Sequence, residues 1–253
     1  IDEPAVVEWI RRRAKAAGQA RVLTLGALTH RLRDERLAEM AALQEVGCVG
    51  VSDGGHPITT SRVLRRALEN AATFNLTVFL TPLDPELGHG LAHEGQVAAR
   101  LGLSGIPAAA ETGIIARDLE LVRDLGVRVH FGRLSSARAV DLIARAQAEG
   151  LPVTADVAVH QLHLSEIDLL GFDSQCHVRP PLRSLRDKEA LRAGLAAGVI
   201  GAICSDHQPH EPDAKQAPFG DTEPGISGLD TLLALSLRLA RDGVSPLSVI
   251  IDR

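Results

Sequence analysis

Apolar residues recur along this chain in two alternating rhythms. Spacings of three and four predict helices near 3–17, 33–46, 60–74, 91–102, 108–126, 135–149, 184–198 and 227–241. In the first of these, Val6, Val7, Ile10 and Ala14 fall on one face. Between the helices lie short apolar runs that predict strands at Arg21–Leu28, Cys48–Asp53, Thr77–Pro82, Arg128–Leu134, Pro152–Ala158 and Ala202–His207. Several junctions carry a glycine and then an apolar residue, as in Gly126-Val127-Arg128 and Gly150-Leu151-Pro152. A helix that ends on glycine and leads into a buried strand gives that pattern.

Regular helix–strand alternation implies an α/β fold with a parallel sheet, either a barrel or doubly wound. Gly26-Ala27-Leu28 does not continue into a Gly-x-Gly-x-x-Gly turn, so a dinucleotide fold has no support at that strand. The 253 residues match the usual size of one (β/α)₈ barrel. Six strands are two short of closure, and the chain opens with a helix. The expectation is one barrel domain over residues 1–253, a partial barrel whose first two strands lie before Ile1. No linker, low-complexity tract or short repeat interrupts it.

Composition narrows the picture. Hydrophobic residues make up 45% and aromatics only 2%, without a tyrosine, so the core must be Leu, Val, Ile and Ala. A net charge of −5 with scattered arginines argues against nucleic acid or an anionic membrane as partner. Cys48, Cys176 and Cys204 are too few and too far apart for a disulfide framework, which suits a reducing cytoplasm. No apolar run approaches the ~20 residues of a membrane span, and no signal peptide is visible. The chain begins without Met, as a fragment would.

Reactive groups in parallel α/β folds sit where strands end. The last strand runs into Cys204-Ser205-Asp206-His207-Gln208-Pro209-His210, a set that suits either a metal site with a general base or a capped turn. The polar stretch 211–224, with Pro212, Pro218 and Pro224, reads as a covering loop or as plain surface. Ser52-Asp53-Gly54-Gly55-His56 reads first as an Asp-Gly turn, although Asp53 and His56 are ligands by type. The strand end Leu80-Thr81-Pro82-Leu83-Asp84 contains no histidine. In His130-Phe131-Gly132-Arg133-Leu134, strand alternation sets Arg133 opposite His130, Gly132 and Leu134. Arg133 cannot ligate a metal. It can bind a carboxylate or phosphate, or neutralise Asp206. His89 and His93 have the spacing of two ligands on one helix face but lack a third, and His160 and His163 read as polar loop residues. There is no Gly-x-Ser-x-Gly elbow and no P-loop.

Taken together, these segments resemble the class I dihydroorotases of the amidohydrolase superfamily. The resemblance runs through almost the whole chain. It is carried by Gly26-Ala27-Leu28-Thr29, Ser52-Asp53-Gly54-Gly55-His56-Pro57, Val178-Arg179-Pro180-Pro181-Leu182-Arg183, Ser205-Asp206-His207-Gln208-Pro209-His210 and Pro224-Gly225-Ile226-Ser227-Gly228-Leu229. It implies an amidohydrolase barrel and a set of site positions. The family's His-x-His pair, at the end of its first strand, would lie before this chain. The family's acidic ligand after Asp53 falls on Gly54, its strand-five histidine on Thr81 and its strand-six histidine on Arg133. Its strand-eight aspartate, metal ligand and proton shuttle, is kept as Asp206. The substrate-binding histidine is kept as His210, and the substrate-binding asparagine falls on Arg179.

One of four visible metal positions is therefore retained. Zinc catalysis needs about three protein donors and an open place for water. A guanidinium close to the ion would repel it. The pattern is most similar to the non-catalytic dihydroorotase-like chains that accompany aspartate carbamoyltransferase in some bacteria. The stretches 126–138, 151–158 and 207–227 carry that similarity. It implies a structural role in pyrimidine synthesis beside transcarbamoylase chains, with homo-oligomers possible and no cofactor. The alternative is an active zinc dihydroorotase that closes carbamoyl aspartate to dihydroorotate, using Asp206 as general base or acid and His210 for substrate. A hydantoinase-like ring opener would need a carboxylated lysine at a strand end, and none is there. Arg133, Arg179 and His210 together form a candidate anion site.

Overall fold

The computed structural model describes all of residues 1–253. Eight strands form: β1 Thr24–Ala27, β2 Cys48–Ser52, β3 Thr77–Leu80, β4 Ala92–His93, β5 Gly105–Ile106, β6 Val129–Phe131, β7 Val153–Ala158 and β8 Ala202–Cys204. The ten α-helices are α1 Pro4–Ala17, α2 Met40–Glu45, α3 Ser61–Thr73, α4 Gln96–Leu101, α5 Ala109–Leu125, α6 Ala137–Ala148, α7 Leu185–Ala196, α8 Asp213–Gln216, α9 Leu229–Arg241 and α10 Leu247–Asp252. Every predicted strand is present, and β4, β5, α8 and α10 are additions.

The chain divides into two compact units. The first comprises residues 1–81, 117–131 and 150–153. Its strands are parallel in the order β1-β2-β3-β6. A β-carbon at Gly50 would come within 2.7 Å of the Thr77 carbonyl, so glycine lets β2 approach β3. Under the sheet, Val7, Ala27, Ala38, Leu43 and Cys48 pack as one apolar cluster. Proline at its start and Gly18 at φ +63° bound α1. Of the four residues expected to share its buried face, only Val7 is fully buried, and Val6 is exposed.

The helix expected over 33–46 shrinks to α2. The preceding backbone hydrogen-bonds elsewhere: His30 N–H donates to the Arg36 carbonyl, and Ala38 N–H to that of Leu28. Asp34 accepts from the Thr59 amide and hydroxyl at 2.7 and 2.8 Å. Tertiary partners for those groups outweigh helix propensity.

The second unit comprises residues 82–116, 132–149 and 154–253. Within it β7 and β8 pair in parallel, Asp156 opposite Ala202 and Ala158 opposite Cys204. The helix expected over 91–102 starts only at Gln96, because Ala92–His93 pair with Gly105–Ile106. His93 therefore lies on a strand and His89 in the loop before it, so the two do not share a helix face. The stretch 211–224 is more than surface. Phe219 and Thr222 are buried in it, and Phe219 joins Ala92, Ala98, Leu169, Cys176, Val178 and Leu182 in an apolar cluster. Serine hydroxyls cap two helices: Ser136 accepts from Ala139 N–H at the start of α6, and Ser184 from Asp187 N–H at the start of α7.

Candidate functional site

In the first unit the chemistry gathers on Asp53, just past the end of β2. Its carboxylate is buried and accepts from Thr81 and Gly55. Thr81 N–H lies 2.6 Å from one oxygen, while the Thr81 hydroxyl and Gly55 N–H each lie 3.0 Å from the other. The Asp-Gly turn forms as read, with Gly54 at φ +59°. A β-carbon at Gly54 would stand 2.9 Å from a Leu32 methyl, so the family's carboxylate position is both empty of a side chain and crowded. Thr81, in the place of a ligand histidine, spends its hydroxyl on Asp53. Also in this unit is Asp118, buried on α5 with the Arg117 guanidinium 2.7 Å from one oxygen. Burial pushes its pKa up to about 6 despite that arginine.

The second unit holds the other cluster. Arg133 follows β6 and takes φ +59°, which ends the strand at Phe131. Its direction is thus set by a left-handed turn, and the alternation argument fails from residue 132 onward. The turn is held by Arg133 N–H, 2.6 Å from an oxygen of Asp156 on β7. The Arg133 side chain reaches Asp206, with Nη1 and Oδ1 3.0 Å apart and both side chains mostly shielded. Asp206 itself sits just past β8 at φ +42°. Gln208 Nε2 donates to the same Asp206 oxygen at 3.1 Å. Of the two readings left open for Arg133, neutralising Asp206 is the one observed.

His210 and Arg179 do not join this pair. The His210 ring bonds the Pro224 carbonyl at 3.1 Å and is exposed. Arg179 is exposed and precedes a cis proline. Arg133 pairs with Asp206 and His210 bonds the Pro224 carbonyl, so these two residues of the candidate anion site are engaged with separate partners.

Sequence reading missed four contributors. Asp156 accepts from Arg133 N–H and from the Cys204 thiol, 3.4 Å away, and burial together with Asp156 pushes that thiol's pKa up. A charged residue inside the apolar run 153–158 was the available signal. His160, read as a loop residue, is 3% exposed, and neither ring nitrogen has a hydrogen-bond partner. Burial lowers its pKa to about 4; Asp206 opposes that shift and Arg133 adds to it. Glu111 and Arg183, both buried, meet through Ser135. Ser135 donates its N–H and hydroxyl to Glu111 at 2.7 and 3.0 Å, and Arg183 Nε donates to the same hydroxyl at 3.1 Å. Arg183 also donates to the Ile106 carbonyl at 2.7 Å. Burial raises the Glu111 pKa, with Arg183 opposing.

No group of three or more His, Cys, Asp or Glu side chains is gathered to hold a metal ion. The family's ligand positions within this chain carry a glycine, a committed hydroxyl, a guanidinium and one carboxylate already paired with that guanidinium. This donor set does not fit a catalytic cation. Nor does any helix have the length and apolarity to cross a membrane.

Comparison with known proteins agrees with the fold. A family model described as Dihydro-orotase-like matches residues 2–139. A dihydroorotase-like protein of Pseudomonas aeruginosa is 53% identical over 254 residues, covering 100% of this chain and 60% of the relative. A dihydroorotase of Syntrophotalea carbinolica is 42% identical over 98% of this chain and 58% of its own length. The chain thus spans about 60% of the length of these curated relatives. Among solved structures, L-hydantoinase from Arthrobacter aurescens superposes with a TM-score of 0.81 at 21% identity, over 97% of this chain and 58% of that one. A dihydroorotase from Saccharomyces cerevisiae superposes at 0.74 and 18% identity, over 99% and 70%. At such identities these two structures speak for the fold alone. On the family match and the full-chain relatives, this chain belongs to the dihydroorotase-like family and has the amidohydrolase barrel fold, present as a partial barrel.

Proposed function

We propose that this chain is a non-catalytic dihydroorotase homologue of de novo pyrimidine synthesis, acting in the cytoplasm as an assembly partner of aspartate carbamoyltransferase catalytic chains. The observation that carries this reading is the Arg133–Asp206 ion pair. The one carboxylate kept from the family's ligand set is neutralised by a guanidinium 3.0 Å away. A catalytic zinc would have to displace that fixed charge and find further donors where Gly54 and Thr81 stand. The chain therefore takes no zinc and uses no cofactor. A barrel keeps its core when strand-end residues change, so an assembly role can outlast the chemistry.

The partner is inferred from the sequence resemblance and is tested by co-purification. The intact protein, expressed with aspartate carbamoyltransferase from the same genome, is expected to elute as one stoichiometric complex without dihydroorotase turnover. Separate elution of the two proteins would refute the assembly role.

A second reading is favoured by the 42% identity to the Syntrophotalea dihydroorotase. It is an active zinc enzyme with Asp206 as general base or acid and His210 and Arg179 on substrate. It requires turnover that disappears in an Asp206→Ala protein.

A further inference from the structure

We infer that Arg133 does the structural work of a bound cation: its guanidinium is the built-in positive charge that pairs with the Asp206 carboxylate beside the buried strand ends. This rests on the reading that no metal is held there, and it goes beyond it by assigning a task to the replacing residue.

Three observations converge. The Asp206 side chain is 8% exposed and the Arg133 side chain 20%, so water screens the pair poorly. The same arginine is fixed at both ends: its backbone N–H is bound 2.6 Å from Asp156, and its Nη1 lies 3.0 Å from Asp206. One residue thus links the turn after β6 to a carboxylate on β7 and to another past β8, as a metal ion links ligands from separate strands. The third observation is His160. It is buried and neither ring nitrogen has a hydrogen-bond partner, so it makes no bond to Asp206 that could replace the arginine. Cys204, its thiol donated to Asp156, brings no positive charge either. Arg133 and the Gln208 amide are the donors on Asp206, and only Arg133 is charged.

Charge, more than shape, is therefore what position 133 supplies. Thermal melting of the intact protein and its Arg133→Met, Arg133→Lys, Asp206→Asn and Arg133→Met/Asp206→Asn variants tests this, each with and without EDTA or added zinc. Breaking a shielded pair from one side strands the remaining charge, so Arg133→Met should lower Tm by roughly 5–10 °C. The double variant, with no stranded charge, should recover most of that loss, and Arg133→Lys should recover part. The parent's Tm should be unmoved by EDTA and by zinc. If Arg133→Met fails to fold while the double variant folds, the same conclusion follows in stronger form. Three results would overturn it: an unchanged Tm in Arg133→Met, a double variant no better than the single, or a parent Tm that EDTA lowers and zinc restores. Melting is read without transcarbamoylase or substrate. Failure to co-assemble would sink the proposed partner role and leave this cycle standing.

Discussion

Two aspartates at strand ends, one in each unit, are held by different sets of partners. Asp53 accepts from neutral donors, among them the amide and hydroxyl of Thr81 and the amide of Gly55. Asp206 is held mainly by one opposite charge from Arg133. Neutral donors fix geometry and satisfy lone pairs without introducing a second ion that must itself be desolvated. A guanidinium cancels charge, and in doing so makes the pocket hostile to any other cation. The residue at the strand end therefore decides whether a kept carboxylate remains available. At Asp53 a hydroxyl has closed it, and at Asp206 an arginine has.

The largest way to break this comparison is to delete the carboxylate that neutral donors serve. Asp53→Ala leaves the Thr81 and Gly55 amides without their acceptor. It should cost about 3–5 kcal/mol in urea unfolding, at one to three for each stranded group. A loss below about 1 kcal/mol would mean that those donors find other partners.

His160 sharpens the second case through pH. Its folded pKa of about 4 lies below the 6.5 of the free side chain. Between these values the unfolded chain holds the proton and the folded chain does not. Stability from this residue is therefore present above pH 6.5 and lost as pH falls towards 4, by about 3 kcal/mol in all. His160→Gln should flatten that part of the Tm–pH curve; an unchanged acid limb would contradict the buried neutral imidazole.

Asp118 stands between the two cases, ion-paired yet shifted up. Its folded pKa of about 6 exceeds the ordinary carboxylate value of 3.8. The folded chain holds the proton longer, so stability present below pH 3.8 is lost as pH rises through 6, by ~3 kcal/mol. This runs opposite to His160. Asp118→Asn should remove it and steepen the acid loss that remains, whereas a profile equal to the parent's would show that the Arg117 pair offsets burial.

The smallest effect belongs to Thr81→Val, which removes one hydroxyl bond to Asp53 and keeps the amide. About 1 kcal/mol of stability should go, read as a shift in urea midpoint. A loss as large as that of Asp53→Ala would mean the hydroxyl, not the amide, holds the turn.

Much of the fold was legible because the barrel's strands are apolar runs set off by glycines, and all six expected ones form. The misses have one cause. Residues 33–39 and 91–95 have helical spacing, but their backbone groups find partners in a folded-back loop and in the β4–β5 pair, which no local pattern reveals. At the site, the residue types at 53, 54, 81, 133 and 206 were readable one by one. That Thr81 serves Asp53, and Arg133 serves Asp206, depends on tertiary contact over gaps of 28 and 73 residues. Residue type alone groups Arg133, Arg179 and His210, while His210 hydrogen-bonds the Pro224 carbonyl. The Glu111–Ser135–Arg183 network was invisible because buried charge is the exception in a sequence, not its rule.

The central claim is that the strand-end positions no longer hold a catalytic ion. Elemental analysis of the intact protein, purified without chelator and dialysed against zinc-containing and then metal-free buffer, tests it most directly. The account predicts zinc far below one equivalent per chain. One or more tightly held zinc ions per chain would contradict it.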